Sequence, residues 1–407
     1  MNSRVKFFVV FASTSLTALL LLGAVIGKSA SPDEPYRHLM VYTEVLSRIK
    51  SEYVEEPDIK SVTLGALNGL LESIDPYASY LSADQYKEYL KNKDAYAALR
   101  SKGDVGLLLS KRAGYIGVEG SIPGSPAALA GIGPGDFIET IKGVATRDMP
   151  LAYAEQTMRG ESGTTIEISI FKSRRPDPQK MTLTRAAINY PAVRSEMMAD
   201  QVGYIRPETL AAGKVKEVAA AIVNLQKQGA KRLLLDLRNC SVGDPKDGVD
   251  LANLFIDKGL LSYVQGQKTP RQDFQAEGSK AITKLPVQVV VNRGTAGPAE
   301  IAAGALLDDK RAQLFGERTY GDAAMRRAVT MDDGGAIILS VAKFYSPSGK
   351  AIQDVGVTPQ NLLPEPEAQI ELDDDGNPIA PDNDTTKKDP ATDLNYLKKI
   401  LITPVDK

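Results

Sequence analysis

The spacing of apolar residues changes several times along the chain, and each change predicts a different kind of structure. Residues 7–26 form an apolar run broken only by Ser13, Thr14, Ser15 and Thr17, with Arg4 and Lys6 ahead of it. As a helix this run would span about 30 Å, the thickness of a bilayer core. A basic stretch before an apolar core is the pattern of an export signal. Lys28 obstructs a small-x-small cleavage site. Residues 1–30 are therefore expected to be a membrane anchor ahead of a cleaved signal peptide, with the basic end cytoplasmic and the body exported.

Beyond the anchor the period becomes helical. Leu39, Val41, Val45, Leu46 and Ile49 share one helix face, and Leu64, Leu67, Leu70 and Leu71 another. Asp75-Pro76 breaks that pattern, because the residue before a proline disfavours the helical region. A second short helix is expected from 83 towards 99, so residues 31–100 read as a helical segment. From Gly103 short strands separated by glycine turns take over, at 115–118, 137–141 and 165–170, the last alternating with period two. Ser125-Pro126 opens a short helix with serine as cap and proline in its first turn, and Gly131, Gly133 and Gly135 close the turn behind it. After Gly203 strands (202–205, 232–237, 287–291) alternate with helices (215–228, 249–258, 299–307), which predicts α/β crossover units over residues 188–362. Leu233-Leu234-Leu235 has no polar alternation, as in a strand buried on both faces. Residues 363–392 are acidic, proline-rich and poor in apolar residues, and are expected to be a disordered linker. Leu394, Leu397, Ile400 and Leu401 then predict a docking helix within 393–407.

Composition narrows the chemistry. The 407 residues carry 49 basic and 51 acidic side chains, a net charge of −2, which argues against a nucleic-acid partner. One cysteine, Cys240, excludes an intrachain disulfide, and in an oxidising compartment it is expected to be buried and unpaired. With one histidine, His38, no Cys/His zinc site can be assembled, and any histidine-dependent hydrolase would have to use that residue. His38 lies next to the membrane segment and is expected at the surface. No cofactor or metal is implied.

The motifs are more specific. Gly106-Leu107-Leu108-Leu109, followed by Gly124-Ser125-Pro126-Ala127 and Ala130-Gly131-Ile132…Gly135-Asp136, resembles a PDZ domain over 101–187. The resemblance implies capture of a peptide C-terminus by the backbone N–H groups of 106–109, beside a helix at about 151–158. A wider resemblance covers residues 36–362. Leu70…Ile74-Asp75-Pro76…Tyr80-Leu81, Gly203-Tyr204-Ile205, Leu235-Asp236-Leu237-Arg238-Asn239, Ala342-Lys343-Phe344-Tyr345-x-Pro347-Ser348-Gly349 and Ile352…Gly356-Val357-x-Pro359 are similar, in order, to the carboxyl-terminal processing peptidases (tail-specific proteases). That family implies an α/β core of crotonase-like type with an inserted, mainly-β PDZ domain and a helical N-terminal segment. It also implies a serine nucleophile with a neutral lysine as its base, a chemistry that needs no histidine.

The chain departs from its relatives at the positions that matter most. Where the family has Ser-Ala-Ser-Ala-Ser-Glu, with the middle serine attacking, this chain has Thr295-Ala296-Gly297-Pro298-Ala299-Glu300. Where the family has Gly-Glu-x-Thr-Phe-Gly-Lys, this chain ends in Asp322, and the supporting glutamine falls at Arg326. The oxyanion stretch, Asn-Pro-Gly-Gly in relatives, is Cys240-Ser241-Val242-Gly243. Loss of a serine nucleophile or its base removes on the order of 10⁶ of rate. The resemblance thus implies an envelope (periplasmic) pseudoprotease without catalytic residues, which binds protein C-termini through Gly106–Leu109 as scaffold or regulator. Its partner would be an active relative or that relative's substrate. The alternative is an active serine-type peptidase using displaced residues such as Ser241 or Thr295. Asp322 and Arg326 are expected to form an ion pair in place of the dyad's polar contacts.

Overall fold

A computed structural model describes residues 33–91, 102–112, 114–147, 149–172, 177–211, 213–364 and 394–401. The expectations for residues 7–26, for the helix beyond Lys91, for the linker from 365 on and for the His38 side chain fall outside the described residues. Among the described residues no helix is long and apolar enough to cross a membrane. The chain divides into two compact units, residues 1–66 and 67–407. The first holds helix α1 (Asp33–Glu52) and the start of α2 (Ile59–Glu72).

Among the described residues the second unit contains three sheets. The segment expected to be wholly helical up to residue 100 instead includes a strand, β1 (Ser79–Leu81), before helix α3 (Ala83–Lys91). The cause is the Asp75-Pro76 turn. The Asp75 carboxylate accepts the Tyr77 N–H at 2.9 Å and, across the fold, the Ser340 N–H at 2.8 Å. That pins the turn to a later strand, so β1 is drawn into a sheet rather than continuing a helix.

An antiparallel sheet follows, built from β2 (Leu107–Arg112), β3 (Tyr115–Ser121), β4 (Phe137–Ile141), β5 (Val144–Ala145), β6 (Thr165–Phe171) and β7 (Gln179–Thr184), with short helix α4 (Pro126–Leu129) and α5 (Leu151–Met158). The Ser125 hydroxyl caps α4 by accepting the Ala128 N–H at 3.2 Å. β6 carries Ile166, Ile168 and Ile170 inward on alternate positions, which is why the period-two pattern was legible. β2 is the edge strand, and α5 runs alongside it.

The remaining residues form an α/β core. β8 (Arg194–Met198), β9 (Val202–Arg206), β10 (Arg232–Asp236), β13 (Val287–Val291), β14 (Ala312–Gly316) and β17 (Asn361–Leu362) make one sheet in the order 17-14-13-10-9-8, parallel except for β8. Helices α6 (Lys214–Lys227), α7 (Pro245–Asn253) and α8 (Pro298–Asp308) bury one face of it. Tyr396, Leu397 and Ile400 of α9 (Leu394–Leu401) cover the other, against Val202, Leu234, Val290 and Phe315. Burial on both faces explains the unbroken apolar run at Leu233–Leu235. A third sheet joins β1, β11 (Leu260–Gln265), β12 (Gln272–Gln275), β15 (Ala324–Thr330) and β16 (Ala336–Tyr345). The helix expected at 249–258 is α7, which begins four residues earlier and ends at Asn253. Asp244 forms a capping box with Asp247, and Pro245 occupies the first turn.

Candidate functional site

β13 runs into a tight turn and then into α8, the strand–turn–helix arrangement that presents a residue at the head of a helix. Gly297 is that residue, with φ +57° and ψ −121°. The turn is held from several sides. Ala296 N–H donates to the Cys240 carbonyl at 3.1 Å, and Tyr320 N–H to the Thr295 carbonyl at 2.9 Å. Thr295 is fully buried; its hydroxyl donates to the Leu237 carbonyl at 2.9 Å and accepts the Asn292 N–H at 3.0 Å. A Cβ placed on Gly297 would sit 3.4 Å from the Ser241 carbonyl oxygen and 3.6 Å from that of Asp322, ordinary contact distances.

Glu300 ties this turn to the loop that follows β14. Its side chain is fully buried and accepts four hydrogen bonds: from the Thr319 hydroxyl, from Gly321 N–H at 2.7 Å, from Asp322 N–H at 2.8 Å and from Gly297 N–H at 3.1 Å. Burial pushes its carboxyl up to about 7, against the opposing pull of those donors. The backbones of Gly297 and Asp322 are therefore both fixed by one side chain.

Asp322 and Arg326 form an ion pair, both side chains partly exposed. The Arg326 guanidinium lies 3.7 Å from the centre of the Tyr77 ring. Tyr77 in turn donates its hydroxyl to Glu119, a buried residue of β3. Burial first, and then the nearby Asp322 carboxylate, push Glu119 up to about 8. The Ser110 and Tyr320 hydroxyls meet at 2.8 Å.

Tyr77, Glu119, Gly297, Asp322 and Arg326 line one cleft of about 350 Å³, and so do Gly106, Leu107, Leu108 and Leu109. Gly106 has φ +80°, and a side chain there would overlap Ser125. Lys111 N–H points out of the sheet to the Pro76 carbonyl at 3.1 Å. By the two-residue alternation of an antiparallel ladder, Leu109 N–H and C=O face the same outer side, into the cleft. Of the residues singled out from sequence, Gly297, Asp322, Arg326, Ser241 and 106–109 thus converge, while Thr295 is locked inside the turn. Cys240 is buried and free, and burial raises its thiol, which removes it as a nucleophile. Tyr77, Glu119, Glu155 and Arg159 were not foreseen in the site; Tyr77 comes from the Asp75-Pro76 turn, Glu119 from β3, and Glu155 and Arg159 from α5 and its C-terminal end. Among the described residues no cluster of Asp, Glu, His or Cys is arranged to hold a metal ion.

The model of peptidase family S41 matches residues 201–362. Over 98% of its length the chain is 31% identical to the carboxy-terminal processing protease CtpA of Bacillus subtilis (strain 168), covering 85% of that protein. The chain belongs to peptidase family S41, among the carboxyl-terminal processing peptidases. It is also 30% identical to a carboxy-terminal-processing protease of Bartonella bacilliformis, over 90% of this chain and 84% of that one. The solved photosystem II D1 C-terminal processing protease superposes with a TM-score of 0.64 at 26% identity, over 80% of the S41 chain and 92% of its own. The fold of this S41 chain is therefore the α/β serine-peptidase scaffold of these relatives. The wall of the cleft at the head of α8 (Ser241, Gly297, Asp322 and Arg326) lies inside the region that the family model matches, and the wall at Gly106–Leu109 lies outside it.

Proposed function

We propose that this S41 chain binds protein C-termini without cleaving them, as a scaffold or regulator in a bacterial-type cell envelope (periplasm), held to the inner membrane by residues 7–26. The antiparallel sheet with α4 and α5 serves as its PDZ domain: an extended peptide adds to the outer edge of β2 with its terminal carboxylate at 106–109. The partner is an active relative or a substrate of one. The observation that carries this reading is Gly297. It stands at the head of α8 in a turn braced by Glu300, with space for a side chain and none present. An acyl-enzyme needs a nucleophilic atom there, and the lysine that would activate it is replaced by Asp322, already committed to Arg326.

The test is direct. Fluorescence anisotropy with the exported chain should show a peptide with an apolar C-terminus binding at least tenfold more tightly as the free acid than as the C-terminal amide. Equal binding of acid and amide would overturn C-terminal recognition. Ser241 lines the same cleft, so the competing reading is peptidase activity from that hydroxyl. Cleavage of an unfolded protein by the wild type, abolished in Ser241→Ala, would establish it.

A further inference from the structure

The groove between β2 and α5 has a direction and an uneven distribution of charge. Gly160 N–H donates to the Gly103 carbonyl at 3.1 Å, and Arg159 Nε lies 3.5 Å from the Asp104 carboxylate. These contacts place the C-terminal end of α5 beside the loop leading into Gly106. At the other end, Lys111 Nζ donates to the Met149 carbonyl at 3.0 Å, just before α5 begins. α5 is therefore antiparallel to β2. A peptide added antiparallel to β2 with its terminus at Gly106 then runs upstream towards the start of α5.

The groups in the groove differ in how they are occupied. Asp104 accepts the Gly106 N–H at 2.8 Å and faces Arg159; Asp322 holds Arg326; Glu119 takes the Tyr77 hydroxyl. Glu155, half-buried on α5 and lining the same cleft, accepts no hydrogen bond and forms no ion pair among the described residues. Burial pushes its carboxyl up, opposed through space by Arg159 and Arg326 and reinforced by Asp322 and Asp104. Glu155 precedes Arg159 by four residues, about 6 Å along a helix axis. A strand advances about 3.3 Å per residue and returns a side chain to the same face every second residue. One turn of α5 therefore matches two residues of bound peptide.

We infer that Glu155 is a specificity-determining residue that selects C-termini carrying Lys or Arg two residues before the terminal residue. This rests on the C-terminus-binding reading above. Arg159 stands near the terminal carboxylate, and Glu155 meets the side chain that points back at α5 from the second position upstream. A cation there supplies the partner that Glu155 lacks, and an acidic residue would meet it as a like charge.

The experiment measures binding of the exported chain to three peptides that differ only at that position (Lys, Ala or Glu), each as free acid and as amide. For the acids the expected order is Lys, Ala, Glu, with roughly tenfold between Lys and Ala, the scale of a partly desolvated charge pair. Glu155→Gln should collapse the Lys-over-Ala ratio towards one, and Glu155→Lys should invert the series in favour of Glu. If the acids bind better than the amides but all three acids bind alike, the selectivity is refuted and C-terminal recognition stands. A Lys preference that survives in Glu155→Gln refutes the assignment to this residue. If acids and amides do not differ, or nothing binds, the underlying reading falls and this inference with it.

Discussion

The cleft has two walls, and each contains a glycine at positive φ. At Gly106, φ is +80° and any side chain would run into Ser125, whose hydroxyl caps α4. At Gly297, φ is +57° but a Cβ would meet only two carbonyl oxygens at van der Waals range. The first glycine is demanded by packing and by backbone together. The second is demanded by the backbone alone, and the space a side chain would fill is open. The wall at Gly106 is thus closed to change, whereas the wall at the head of α8 keeps room for a side chain in a braced turn. Glu300 makes the contrast sharper: four donors converge on it and fix the backbones of two residues on this wall, Gly297 and Asp322.

The largest effect should come from refilling the vacant wall. Gly297→Ser places a hydroxyl at the head of α8, and Asp322→Lys with Arg326→Gln removes the ion pair and supplies a base from a backbone that Glu300 already holds. The triple variant is expected to cleave an unfolded protein substrate that the wild type and Gly297→Ser alone leave intact. Restoring a nucleophile together with its base recovers a large part of a factor on the order of 10⁶. Gel or mass-spectrometric detection of fragments decides it. A folded triple variant that remains inert would show that the defect extends beyond these positions, to the oxyanion stretch at Cys240–Gly243.

A smaller effect separates the two glycines by stability. Gly297→Ala has only unfavourable φ to overcome, roughly 1–2 kcal/mol. Gly106→Ala meets the same penalty plus overlap with Ser125, and about 4 kcal/mol or more is expected, with loss of peptide binding. Urea midpoints of the two variants measure the difference. Equal losses would mean that the open space at Gly297 is not accessible to a side chain.

The two walls were also unequally legible from sequence. Gly297, Asp322 and the 106–109 loop were recognisable because each lies in a contiguous motif whose neighbours are dictated by local turn geometry. The strand at 165–170 is legible through its period two, and those at 115–118 and 137–141 through the glycine turns that bound them. Tyr77, Glu119 and Glu155 carried no such signal. Each is one polar residue on an otherwise ordinary element, brought into the cleft by a long-range tie such as the Asp75 to Ser340 hydrogen bond. The strand at Ser79–Leu81 was missed for the same reason, since its partner β16 lies more than 250 residues further on. Helix α7 was placed late because Gly248 in its first turn weakens the local helical signal, whereas the Asp244 capping box that starts it is clear once seen.

The smallest effect tests the polar groups that now fill the space between the walls. Glu119 faces the Tyr77 and Tyr320 hydroxyls, the Asp322 carboxylate and the Arg326 guanidinium. Its carboxyl is raised from 4.5 to about 8 by burial and then by Asp322. A raised carboxyl pKa means that the folded state favours the protonated acid. The associated stability is complete below pH 4.5 and is lost as the pH rises through about 8. Glu119→Gln keeps an acceptor for Tyr77 but cannot ionise. Relative to this variant, the wild type should lose stability between pH 5 and pH 9, by an amount on the order of 1 kcal/mol. Urea midpoints at pH 5, 7 and 9 for both proteins give the slope. Parallel slopes would show that burial and the Asp322 carboxylate do not raise Glu119 in the folded protein.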